Sequence, residues 1–326
     1  MKNGHGLSPT FMHALMNDLG PGINRFLEAV KKDATLCLEI RENYINIYYR
    51  GGSLVRINEK NGKFTAFFDR KYILAKDKTR VPESLSSQDP LNFEDVTTWI
   101  EAIPFLKQEM DWWFHLYPKT EGEFQQLMVR ENNFGGTAKS TDYFICDIEY
   151  ANENGRFDLI AAHWRSSSIH RKDNKNVGLA FIEMKYMNKS MAHSAGICAH
   201  VRDMADYYRR NQDHFAELKQ EMKTVFNQKL ELGLIDNQKT IESFNENIPD
   251  FILVFANHDP DSSILVHELN EIEAIPGTLP FKLKFAVSNF MGYGLYEQNI
   301  FGLKEFKEIF SEQIFAKRKN MVDLKE

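Results

Sequence analysis

Two apolar segments with charges set inside them constrain this chain most: GRFDLIAAHW (residues 155–164) and VGLAFIEMKYM (residues 177–187). Both read as strands, because aliphatic and aromatic residues run almost without interruption through each. The first carries Asp158, and the second carries Glu183 and Lys185. Side chains alternate across a strand, so residues two apart share a face. Glu183 and Lys185 therefore point one way, and Ile182, Met184 and Tyr186 the other. Asp158 shares its face with Arg156 and Ile160. If the two strands are neighbours, one register gathers Asp158, Glu183 and Lys185. Two acids held close in a buried place repel each other, and a hard divalent cation with oxygen ligands removes that problem.

The rest of the chain sets the frame for these strands. Residues 9–33 suggest one or two short helices, broken near Gly20-Pro21-Gly22. From Thr35 to Leu74 alternating residues, with Gly51-Gly52 and Asn61-Gly62 at turn positions, predict an antiparallel β-meander. The polar stretch KDKTRVPESLSSQDP then marks a boundary. It divides an N-terminal α+β domain (1–90) from a second domain (91–326). The second opens with helical periodicity, including KTEGEFQQLMVRENNF (residues 119–134). There Thr120 and Glu123 have capping-box spacing, and Phe124, Leu127 and Met128 form an apolar stripe. Two strands joined at Asn154-Gly155 follow, then the basic loop RSSSIHRKDNKN, then the strand bearing Glu183. A long helix from about Ser194, with a break near Asn211, leads towards Gly233. A strand (DFILVFAN), a helix (SSILVHELNEI), a strand (FKLKFAVSNF) and a terminal helix (LKEFKEIFSEQIF) complete the order. This is an α/β chain with a mixed central sheet flanked by helices.

Composition excludes several functions. A net charge of −6 leaves nucleic-acid contact to local basic patches, and rules out a polybasic binder. Cys37, Cys146 and Cys198 form no CxxC pair, so neither a disulfide framework nor a structural zinc site is expected. Without a signal-peptide pattern or an apolar run of about 18 residues, a cytoplasmic protein with no membrane span is expected. No Walker glycine loop, GxGxxG, GxSxG or HExxH occurs. His258, Asp259 and Asp261 lie in a strand-to-helix turn whose capping explains them. Lys317-Arg318-Lys319 reads as a charged helix end.

FDLIA followed 24 residues later by FIEMK resembles the Asp…Glu-x-Lys signature of the PD-(D/E)xK, or restriction-endonuclease-like, nuclease superfamily. The order helix, three strands, helix, strand between Thr120 and Ala256 resembles its core. Phe157 stands where the name-giving proline would be. The resemblance implies a Mg²⁺-dependent endonuclease, with Mn²⁺ as an alternative cation. Asp158, Glu183 and the Met184 carbonyl would ligate the metal, and Lys185 would position the attacking water. A glutamate on the preceding helix, Glu123 first and Glu131 second, would join them. Glu149 is within reach as well, with Asp147 and Glu149 equally readable as solvent-facing. Family grounds favour DNA as the partner, in restriction, phage defence or repair. His200, Asp203 and Tyr207 share a helical stripe, and His200 and Tyr207 are candidate nucleic-acid contacts. So are Arg165, His170, Arg171 and Lys172, with Lys175, in the loop joining the motif strands. The meander is free to recognise DNA, sense a ligand or form a homodimer. Two other readings stand beside this one. One is a non-catalytic binding or assembly module on a nuclease-like fold, and the other is a phosphodiesterase for small nucleotides.

Overall fold

Two-residue turns with both φ angles positive build the N-terminal sheet. Arg50-Gly51 (φ 48° and 72°) and Asn61-Gly62 (φ 55° and 76°) each close a hairpin, the geometry whose twist matches that of the flanking strands. They join β2 (Tyr44–Tyr49) to β3 (Gly52–Lys60), and β3 to β4 (Lys63–Phe67). With β1 (Leu36–Ile40) and the two-residue β5 (Leu91–Asn92) they make a five-stranded sheet in sequential order. The computed structural model describes residues 4–17, 22–75, 77–86, 89–152, 155–187, 191–192, 196–212, 214–257, 263–288, 295, 297 and 300–309.

Helices α1 (Pro9–Met16), α2 (Ile23–Lys32) and α3 (Val96–Leu116) cover this sheet. Phe11, Phe26, Trp99, Leu106 and Met110 share one core with Ile45, Val55 and Ile57. β5 and α3 follow the polar stretch 76–90, yet both pack with the N-terminal sheet.

The second sheet is mixed, in the order β11-β10-β9-β8-β7-β6. β6 (Tyr143–Ala151) pairs antiparallel with β7 (Arg156–His163), and β7 pairs antiparallel with β8 (Gly178–Tyr186). β9 (Asp250–Ala256) and β10 (Lys282–Ser288) run parallel to β8, and β11 (Ile300–Gly302) turns back against β10. Every residue of β9 is buried, as expected of a strand with helices on both faces. α4 (Thr120–Asn133) covers one face, where Phe124, Met128 and Val129 meet Leu159, Ile182, Met184 and Val254. α5 (Ile197–Arg210), α6 (His214–Glu231) and α7 (Ser263–Glu273) cover the other, against Ile160, Phe181, Leu253 and Phe255. Residues 303–309 are helical.

Two expectations change. α4 is capped by Lys119 without a side-chain bond, so Thr120 is its first residue and forms no capping box. Asp147 is fully buried, ion-paired with Arg41 and hydrogen-bonded to His5, where a solvent-facing position was equally open. Bulging of β6 beside Cys146, followed by the positive φ of Glu149 (51°), disturbs the alternation that would have placed it. Among the described residues no helix is long and apolar enough to cross a membrane. His258, Asp259, Asp261 and residues 317–319 lie outside the described residues.

Candidate active site

The β7–β8 ladder pairs Leu159 with Ile182 and ends there. One step further, the same register sets Asp158 opposite Glu183. In place of a ladder bond, the Met184 N–H donates to Asp158 Oδ2 at 2.9 Å. A residue's N–H and C=O project to the same edge of its strand, so the Met184 carbonyl faces the same gap. Ile182 and Met184 enter the α4 side of the core, while Phe181 enters the α5 side. Glu183 and Lys185 therefore stand on the α5 side, only 7% and 5% exposed.

Lys185 Nζ donates to Glu183 Oε1 at 2.9 Å. His200, in the first turn of α5, places Nε2 2.9 Å from Lys185 Nζ and 3.1 Å from Glu183 Oε1. A cavity of ≈ 550 Å³ opens over the group, lined by Asp158, Glu183, Lys185 and His200, with Asp203 and Tyr207 further along α5. Gly155 presses against the Tyr207 ring, where a Cβ would come within 2.8 Å. Tyr207 is held edge-on by Phe157 and Phe181, so it forms the wall of the cavity.

The helix carboxylate in this cavity is Glu121, not Glu123. Glu121 lines the cavity and accepts from the Tyr186 N–H at 3.4 Å. Glu123 is turned to the N-terminal sheet, where Arg50 Nε donates to it at 3.2 Å. Glu131, near the far end of α4, pairs with Arg130. The signal was present in the sequence, because Glu121 lies three residues before Phe124 and seven before Met128. It therefore sits on the sheet-facing stripe, whereas Glu123 stands off it. The hairpin turn fixes α4 here: the Gly51 N–H donates to Gln126 Oε1 at 3.0 Å. A Cβ on Gly51 would sit 2.4 Å from the Gly122 backbone. Glu149 borders a neighbouring cavity of ≈ 380 Å³, which shares Glu121, Arg156 and Asp158 with the first. Glu121→Gln is expected to lower kcat about 10-fold or more, and Glu123→Gln to leave it within about 3-fold, measured side by side in a cleavage assay.

Burial, reinforced by the Glu183 carboxylate, pushes the Asp158 pKa up to about 8, against the pull of the Met184 N–H and Lys185. Burial also raises that of Glu121, with Lys185 opposing. Four acids, Glu121, Asp158, Glu183 and Asp203, thus share one cavity with Lys185, Arg156 and His200. That donor set is hard oxygen and short of positive charge, which suits a Mg²⁺ or Mn²⁺ ion. Among the described residues no three His, Cys, Asp or Glu side chains are already grouped as a coordination sphere.

The basic loop is not at this site. β7 runs away from Asp158, and the loop leaves from His163, five residues or about 17 Å along the strand. Arg165 pairs with Glu297 at 2.5 Å, and His170 bonds the Ser167 hydroxyl at 2.6 Å. Arg171 donates to the Thr141 carbonyl at 2.6 Å and lies over the Phe144 ring. Lys172 is exposed on the same loop. The expectation that Arg165, His170, Arg171 and Lys172 hang beside Asp158 fails because the loop joins the opposite ends of two antiparallel strands. Comparison with protein-family models, with curated proteins and with solved structures gives no match to this chain.

Proposed function

We propose that this chain is a metal-dependent nuclease of the PD-(D/E)xK type, hydrolysing phosphodiester bonds of nucleic acid, with DNA as the favoured substrate. One observation carries the reading: Asp158 and Glu183 meet where the β7–β8 ladder opens, with Lys185 bound to Glu183 on the same face. The order α4, antiparallel β6-β7-β8, α5, then β9 parallel to β8 supports a restriction-endonuclease-like core.

Asp158, Glu183, Glu121 and the Met184 carbonyl would hold the cation, which when bound supplies charge neutralisation for the phosphate. Lys185 then orients a water for attack and donates a hydrogen bond to charge building on a phosphoryl oxygen. Its ammonium is fixed by Glu183 on one side and His200 on the other. His200 holds that position and, from the cavity side of α5, meets the leaving group. Apolar β9 sets Leu253 beside Glu183 and Phe255 beside Lys185, excluding water from that flank.

The test is to incubate the protein with linear duplex DNA, single-stranded DNA, RNA and cyclic dinucleotides, with Mg²⁺, Mn²⁺ or EDTA. Cleavage of a polymer that needs metal and falls about 10²–10⁴-fold in Lys185→Ala is expected. Four intact substrates, or equal cleavage by Asp158→Ala, Glu183→Ala and Lys185→Ala proteins, would overturn the reading. Cleavage confined to the cyclic dinucleotides would make the same site a small-nucleotide phosphodiesterase.

A further inference from the structure

The cavity over Asp158 and Lys185, at ≈ 550 Å³, is larger than hydrolysis alone requires. A cation, its waters and one phosphate group make about six water-sized groups of about 30 Å³ each, roughly a third of that space. The rest is walled by residues that the proposed reaction does not use. Gly155, Arg156 and Phe157 border it from the start of β7, and Asp203, Met204 and Tyr207 from α5. Asp203 stands about 4.5 Å and Tyr207 about 10.5 Å beyond His200 along the helix axis. The cavity thus extends from the acids at the open ladder, past His200, to an apolar and aromatic wall.

Phe157, Met204 and Tyr207 are buried side chains, so what they show to the cavity is a packed and preformed wall. Asp203 and Arg156 add charge at this end. Both are exposed, and neither makes a hydrogen bond or ion pair with another described residue. Lys185 differs, since Glu183 and His200 already hold its ammonium. The surplus of acids in the cavity disfavours a lone anion and favours a neutral ring that carries donors. An apolar wall with one free carboxylate and one free guanidinium suits a planar group that bears an amine and lies beside a phosphate. A nucleobase in a strand is such a group.

We propose that this cavity receives the base of an unpaired nucleotide at the scissile phosphate. The base lies against Phe157, Met204 and Tyr207, its exocyclic amine donates to Asp203, and Arg156 meets the neighbouring phosphate. The pocket depends on the nuclease reading for its phosphate, and it narrows the substrate to strands unpaired at the cut. Paired DNA would have to unstack the nucleotide before it could enter. Adenine, cytosine and guanine carry an exocyclic amine and thymine does not, so Asp203 sets a preference among bases.

The test measures binding to the full chain by fluorescence anisotropy in Ca²⁺, and cleavage in Mg²⁺ or Mn²⁺. The probes are an oligodeoxycytidine strand, an oligothymidine strand of equal length, a linear duplex and cyclic di-adenosine monophosphate. Oligodeoxycytidine is expected to bind and to be cut about tenfold better than oligothymidine, with the duplex last. Asp203→Asn should bring the two strands within about threefold, because an amide can donate to thymine as well as accept from cytosine. Arg156→Ala should weaken both strands alike and lower the salt dependence by about one phosphate contact. Both residues are exposed, so neither variant threatens the fold. Base-selective binding that Asp203→Asn removes, with no cleavage in either metal, keeps the pocket and removes the nuclease reading. Equal use of the two strands by wild type, or an unchanged preference in Asp203→Asn, would overturn the proposal. So would a duplex cut as well as the single strands, or tighter binding of the cyclic dinucleotide than of either strand.

Discussion

Replacing Asp158 by asparagine is expected to abolish metal-dependent cleavage and, without metal, to raise the melting temperature at pH 8. Loss of activity follows from removing a charged oxygen donor from the carboxylate set, and about 10³-fold or more is expected. The gain in stability follows from the cost of ionising Asp158 where it stands. Its pKa rises from 3.8 to about 8 through burial and the neighbouring Glu183 charge. The folded state therefore binds this proton more tightly than the unfolded state does. Stability from that proton is complete below the unfolded value and is lost progressively as pH rises towards about 8. A tenfold change in proton affinity is worth about 1.4 kcal/mol, so the loss matters beside a typical folding free energy. Asparagine has no charge to lose and keeps an oxygen to accept the Met184 N–H. In EDTA, wild-type protein should melt lower at pH 8.5 than at pH 5.5, and Asp158→Asn should flatten that slope and melt roughly 2–6 °C higher at pH 8.5. Mg²⁺ should raise the wild-type melting temperature and leave the variant unmoved. A variant that melts lower than wild type at pH 8.5 would show that repulsion between the acids is not stored in the metal-free site.

The site was legible where strand periodicity alone decides the outcome. Glu183 and Lys185 are two apart, so a strand of either register must place them together, and the Lys185–Glu183 bond follows. The helical break near Asn211 was legible for a similar reason, since α5 ends at Arg210 and α6 resumes at His214. The misassigned helix glutamate came from the resemblance, which asks for a glutamate on this helix without fixing its place on the packing stripe. Glu123 has the capping spacing, but the position that faces the sheet is set by Phe124 and Met128, and that position is Glu121. The misplaced loop had a different cause. Adjacency in sequence was read as adjacency in space, whereas antiparallel strands put a connecting loop at one end and Asp158 at the other. The two residues of β5 are too few to carry periodicity, and their pairing with β4 is a long-range outcome. The His163–Asp250 pair could not be read either, because the two residues lie 87 positions apart in sequence.

A single substitution at Lys229 is expected to cost about 3–5 kcal/mol of stability, while a matched apolar pair restores most of it. Lys229 Nζ lies 2.6 Å from Glu39 Oε2, with side chains only 1% and 0% exposed. The pair spans the molecule's two sheets, since Glu39 belongs to β1 and Lys229 to α6. α6 itself is shared: Met222 and Phe226 enter the core of the central sheet, and Val225 enters that of the N-terminal sheet. Lys229→Ala leaves the Glu39 carboxylate buried without a cation, and the Cys37 thiol, at 3.4 Å, is too weak a donor to replace it. The desolvation cost of the remaining charge then falls on the folded state alone. Glu39→Leu combined with Lys229→Met removes both charges and keeps the volume filled, so it should lie within about 1 kcal/mol of wild type by urea unfolding. Both variants leave Asp158, Glu183 and Lys185 untouched, so cleavage by the folded fraction should be preserved. If Lys229→Ala instead costs less than about 1 kcal/mol, water reaches Glu39 and the junction between the sheets is looser than its burial implies.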